Sequence, residues 1–133
     1  MKDLIWDRTL SVDIPEIEED HRRLLDLFNI LNRALAEGDA QQYVKAVMEE
    51  LISCTVWHFR HEERLMLKYG YEGANEHKAE HEELIASAKA LQQKFFDAGK
   101  PVVSDDLHFL EHWLTGHILG TDKDLGSYLC DVM

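Results

Sequence analysis

The chain has 133 residues, 45% of them hydrophobic, which suits a single domain with one sizeable core and leaves no room for a second. A formal charge of −12 argues against nucleic-acid and anionic-membrane partners, which need surfaces rich in Lys and Arg. No stretch approaches the roughly 20 apolar residues of a membrane span, and "MKDLIWDRTL" lacks an apolar leader, so a cytoplasmic protein is expected.

Segments rich in Leu, Ala, Glu, Lys and Gln, with almost no β-branched alternation, predict an all-α fold. Residues 1–17 read as an extended arm, "SVDIPEIEE" closing it at Pro15, before a first helix over about 18–37. "EGDA" then supplies Gly38 as a stop and Asp39 as the N-cap of a second helix over about 40–69. "YGYEG" breaks that helix, a third spans about 74–97 and "AGKP" closes it. Ser104 reads as an N-cap, with Asp105 and Asp106 complementing the macrodipole of a fourth helix over about 104–119. Short connections make this an antiparallel up-down four-helix bundle, one domain over 1–133 with an N-terminal arm. Cys54 and Cys130 form no CxxC pair and read as buried or inert thiols.

Residues three and four apart share a helix face, so the apolar stripes can be followed one helix at a time. They run Ile17, His21, Leu24, Phe28, Leu31, Leu35 in the first helix and Val44, Val47, Leu51, Thr55, His58, Glu62, Leu65, Tyr69 in the second. The third gives His77, His81, Leu84, Ala88, Leu91, Phe95, and the fourth Leu107, Leu110, Leu114, His117. One histidine on an apolar face is ordinarily a core residue hydrogen-bonded to a neighbour. Five of them with Glu62, directed into one core, would cost several kcal/mol unless something satisfied them together. A metal ion does so, and imidazole with carboxylate suits iron, zinc, copper or nickel. Asp122, five residues after His117 in "HILGTDKD", would leave an ideal helical stripe by roughly 140°. A π-type turn or a helix end near Gly120 would bring it back; a straight fourth helix would favour Asp124 instead.

The ordered set of His21, "HFRHE" with His58 and Glu62, "HKAEH" with His77 and His81, and "HILGTD" with His117 and Asp122 resembles the hemerythrins, in particular the single-domain bacterial ones. Trp6, "GY" at 70–71 and "WL..HI" at 113–118 extend the match over nearly the whole chain. The resemblance implies a di-iron centre, two iron ions joined by an oxo or hydroxo bridge, that binds dioxygen reversibly. It places His77, His81 and His117 on one iron, His21 and His58 on the other, and Glu62 and Asp122 between them. Of about twelve octahedral positions these ligands and the bridge leave one open, beside His21 and His58. A histidine-rich shell favours reversible binding in an oxygen carrier, storage or delivery protein. The alternatives are a di-iron enzyme reducing peroxide or nitric oxide, or an oxygen or redox sensor; an oxygen-consuming enzyme would be a partner for delivery.

Leu24, Phe59, Trp113, Leu114 and Ile118 lie within a turn of a ligand and are expected to wall the oxygen pocket, as the resemblance implies. His61, His108 and His112 fall off the stripes and read as surface residues, while Glu63 is either solvated or a partner to a ligand. Asp20 departs from the family's usual Gln before the first histidine, and either tunes that neighbourhood or faces water.

Overall fold

The computed structural model describes residues 14–96 and 104–133, without the side chains of Phe96, Ser104, Leu107 and Leu119. Helix α1 spans Pro15–Ala36, α2 Gln41–Tyr69, α3 Ala74–Phe96 and α4 Ser104–His117; α4 passes through a π-helical segment, Ile118–Asp122, into α5, Lys123–Val132. Because α4, the π segment and α5 are continuous, the architecture is a four-helix bundle. Contacts of α1 with α2, α2 with α3, α3 with α4 and α4 with α1 close the ring, and α5 also packs on α2. The expected arm, Trp6 included, falls almost wholly outside the described residues, as do "AGKP" and the capping role of Ser104.

Helix α1 starts three residues earlier than the sequence suggests. Pro15 does not end an extended arm but occupies the first helical turn, where its missing N–H leaves nothing unsatisfied, with Ile14 as N-cap. The stop at Gly38 is as expected. Gly38 sits at φ 68°, its N–H donates to the Leu35 carbonyl at 3.3 Å, and Asp39 N–H donates to the Ala34 carbonyl at 2.9 Å. That same closure takes Asp39 out of the capping role assigned to it, and α2 begins after Ala40 with no side-chain cap. Gly70, at φ 65°, ends α2 in the same way, Tyr71 N–H donating to the Met66 carbonyl at 3.0 Å. The fourth helix does not stop near Leu119 but continues to Val132.

Apart from Leu107, which lies outside the described side chains, the stripes are buried as read, with Leu35, Tyr69, Leu84 and Leu91 half-buried at the margins. They form two apolar cores. The larger gathers Leu24, Phe28, Leu31, Val47, Leu51, Leu114 and their neighbours; the smaller is Ile14, Ile17, Leu65, Met66, Leu125 and Leu129. Between Ile17 and Leu24 on α1, and between Leu51 and Leu65 on α2, the stripe positions His21, Thr55, His58 and Glu62 are polar, so the bundle carries a polar layer between two apolar ones. The Tyr128 hydroxyl donates to the Tyr69 carbonyl at 2.5 Å, fastening α5 to the end of α2. Cys54 is half-buried and Cys130 exposed, so neither is a fully buried thiol, and neither forms a disulfide.

Candidate metal centre

The polar layer is made of His21, His58, Glu62, His77, His81, His117 and Asp122, each at most 6% exposed. Every helical rod contributes. The potential ligand atoms fall into two groups, each lying within 4.8 Å of one another: Glu62, His77, His81, His117 and Asp122 in one, His21, His58, Glu62 and Asp122 in the other. Both carboxylates belong to both groups. Asp122 divides its oxygens between them: Oδ1 lies 2.8 Å from His117 Nε2 and 3.1 Å from His77 Nε2, while Oδ2 lies 2.8 Å from His21 Nε2. Glu62 Oε1 lies 3.1 Å from His81 Nε2 and 3.4 Å from His58 Nε2.

Asp122 reaches this position through the π segment. Its wider turn closes the five-residue step from His117, and Asp122 is fully buried while the rival Asp124 is exposed. Glycine is not what permits the turn, contrary to expectation: Gly120 has no positive φ, and a Cβ there would meet nothing within 4 Å. Glu80 of α3 holds the turn instead. Its Oε1 accepts from His117 Nδ1 at 2.6 Å and its Oε2 from the Thr121 hydroxyl at 2.6 Å.

The donor set fits a metal on a structural criterion. Nε2 of His58, His77 and His117, Oε2 of Glu62 and Oδ1 of Asp122 are buried without a hydrogen-bond partner among the described residues, although some lie close to one another. Atoms that approach to 2.8 Å without hydrogen-bond alignment are directed at shared space between them, which is the arrangement a cation satisfies. The outward nitrogens are tied down. Nδ1 of His58 faces Asp20 at 2.9 Å, Nδ1 of His81 faces Glu63 at 3.1 Å and Nδ1 of His117 faces Glu80, so each ring has an outer carboxylate to take the Nδ1 proton and would turn Nε2 inward as a ligand once that nitrogen gives up its own proton to a metal.

His58, His77, His117, Glu62 and Asp122 hold one another charged. Burial disfavours the imidazolium of His58, but the charge of Glu62 and the nearby Asp122 and Asp20 carboxylates push it up to about 10. Burial likewise opposes His77 and His117, and Asp122 and Glu62 push them up to about 9 and about 11. Glu62 and Asp122, despite burial that favours their neutral forms, are held below the usual carboxylate range by the surrounding imidazoles. Burial works to raise Asp20, and hydrogen bonds from His58 and His61 outweigh it and keep the carboxyl below its ordinary value.

A hemerythrin HHE cation binding domain model matches residues 12–129. The chain belongs to the hemerythrin family. It is 35% identical over 112 residues to the bacteriohemerythrin of Methylococcus capsulatus, 84% of this chain and 85% of that one. With the bacteriohemerythrin of Pseudomonas paraeruginosa the identity is 33% over 92% of this chain and 78% of the relative. A crystal structure of wild-type hemerythrin superposes at a TM-score of 0.86 with 30% identity, covering 93% of this chain and 95% of that one.

In this hemerythrin the cavity next to the second group is about 10 Å³, room for roughly one water-sized sphere. All five residues expected at a pocket, Leu24, Phe59, Trp113, Leu114 and Ile118, line it, together with Thr55 and ligand candidates. Phe59 also stacks on His81, ring centres 3.9 Å apart. His108 and His112 are exposed as read. His61 is not a surface residue: its side chain is 12% exposed and lies between Asp20 and Glu16. Asp20 faces His58 rather than water, and Glu63 faces His81. Glu80 was missed. The available signal is its place in "HKAEH", one residue before His81, on the helix that packs against α4.

Proposed function

We propose that this chain binds dioxygen reversibly at a centre of two iron ions, as an oxygen carrier, storage or delivery protein. His77, His81 and His117 hold one ion, His21 and His58 the other, and Glu62 and Asp122 bridge. The observation that carries this reading is the division of Asp122 between two histidine groups, with both carboxylates common to the two sets. When bound, the ions supply the electrons that hold dioxygen and recover them on release. With three histidines in one group and two in the other, the ion held by His21 and His58 would be the one with room for dioxygen, and the small cavity beside these residues supports that reading.

What the chain adds is shape and dryness. Leu24, Phe59, Trp113, Leu114 and Ile118 present carbon to the cavity, limiting it to a diatomic-sized guest and excluding bulk water. The hydroxyl of Thr55, another lining residue, donates to the Leu51 carbonyl at 2.7 Å and is committed there. Reduction of peroxide or nitric oxide consumes protons, and among the described residues this lining holds no uncommitted acid beyond the ligand set, which favours a carrier over an enzyme. Dioxygen is thus the small-molecule partner, and an oxygen-consuming enzyme is the macromolecular partner a delivery role would require. No helix among the described residues is long and apolar enough to cross a membrane; a cytoplasmic location is carried as part of this proposal.

Metal analysis of iron-replete protein should give two irons per chain. Anaerobic reduction, exposure to air and return to vacuum should then cycle the visible ligand-to-iron bands without loss. One metal per chain, or zinc with no response to oxygen, overturns the reading.

A further inference from the structure

Asp20 directly precedes His21 on α1, yet its carboxylate is directed across the helix pair to α2. One oxygen, Oδ2, lies 2.9 Å from Nδ1 of His58 and 2.7 Å from Nδ1 of His61. The other nitrogen of His61, Nε2, lies 3.1 Å from Oε2 of Glu16, one turn before Asp20. Glu16, His61, Asp20 and His58 therefore form a ladder from the surface to the polar layer. Exposure falls along it from 45% at Glu16 to 12% at His61, 11% at Asp20 and 1% at His58. A cleft of about 240 Å³, lined by Asp20, Arg23, Ser53, Cys54, Trp57 and His58, opens onto its inner end. Glu62 and Asp122 are sealed by comparison.

We propose that Asp20 is a positioning residue that acts through His58 to set the reduction potential of the ion held by His21 and His58, with His61 bracing its carboxylate. This rests on the di-iron reading above. A carboxylate accepting the outer N–H of an imidazole fixes the ring and makes its inner nitrogen a stronger donor. A stronger donor favours the more highly charged ion, so the potential is lowered. His61 matters because it shares the one oxygen that His58 uses: with His61 in place, Asp20 is held on both sides and its Oδ2 stays in line with His58 Nδ1.

Wild type, Asp20→Asn and His61→Phe, each loaded with iron, test this by three measurements: iron per chain, iron retention against a chelator, and midpoint potential by spectroelectrochemical titration. Asp20→Asn should keep two irons, hold one of them about 10–100-fold less tightly, and shift the midpoint to more positive values. His61→Phe should shift it the same way by less. An unchanged midpoint in a two-iron Asp20→Asn protein overturns the proposal and leaves Asp20 a structural contact. Should Asp20→Asn retain no iron, His61→Phe decides, and an unchanged midpoint there overturns it equally. Failure of the wild type to hold two irons is a separate result, seen before any variant is compared, and it removes the di-iron reading and this proposal together.

Discussion

Ile118 shows how one side chain can be both core and site. It is 1% exposed, packs in the larger apolar core and lines the small cavity beside His21 and His58. Ile118→Val removes one methylene and should cost about 0.5–1.5 kcal/mol of stability, with little change in the visible spectrum of the oxygenated protein. Ile118→Glu brings a carboxylate into a space of about 10 Å³, where it must find a cation or water. Among variants shown to hold two irons, it should shorten the lifetime of the oxygenated protein well beyond any effect of Ile118→Val. Stopped-flow oxygenation and autoxidation rates measure this; equal lifetimes for Ile118→Glu and wild type would place the open position elsewhere.

At the scale of the element, the π segment is the device that completes the centre. An α-helix continued from His117 would carry Asp122 off the inward face, and Glu80 holds the wider turn by engaging both His117 and Thr121. Thr121→Val removes one of these hydrogen bonds and should cost about 1 kcal/mol. Glu80→Ala removes both and should cost roughly 1–2 kcal/mol, a modest figure because its side chain is 38% exposed and screened. The larger effect is on metal: without its outer carboxylate His117 loses a fixed orientation, and affinity should fall by about 10–100-fold. Urea denaturation of the metal-free variants and chelator competition on the loaded ones separate the two effects. Comparable metal affinity in Glu80→Ala and wild type would show that the turn holds without this contact.

For the whole molecule the buried layer ties stability to pH. In the metal-free chain His58, His77 and His117 are raised from 6.5 to about 10, about 9 and about 11, so their contribution is fully present below pH 6.5 and is lost as pH climbs through those values. Glu62 and Asp122 are lowered from 4.5 and 3.8, so theirs is present above those values and is lost as pH falls below them. Metal-free protein should therefore be most stable between pH 4.5 and 6.5. Iron binding runs the other way in pH: the imidazoles must give up protons to become ligands, so uptake should release protons and tighten as pH rises. Urea midpoints of chelator-stripped protein across this range, and calorimetry in two buffers of different ionisation enthalpy, check both. A midpoint that does not fall above pH 6.5 would show that the imidazoles are not held charged by the carboxylates.

The sequence by itself determined the bundle and six residues of the polar layer, the five histidines and Glu62, because helical periodicity converts spacing into direction and a buried imidazole is conspicuous among leucines. It also placed the stops at Gly38 and Gly70 and the break before α3, since those depend on a few adjacent residues. Where α1 and α2 begin was less legible: Pro15 suits either an arm or a first helical turn, and Asp39 was claimed by the closure of the preceding helix. For Asp122 the spacing offers a π turn, a helix end or a rival at Asp124, and the tertiary structure has the π turn, with Glu80 of the neighbouring α3 engaging both His117 and Thr121. The outer carboxylates were the least visible. The sequence leaves Asp20 and Glu63 open between two roles, makes His61 a surface residue and does not single out Glu80, because each depends on where a neighbouring helix stands. Local pattern states which way a side chain points along its own helix; only the packed bundle states what it meets there.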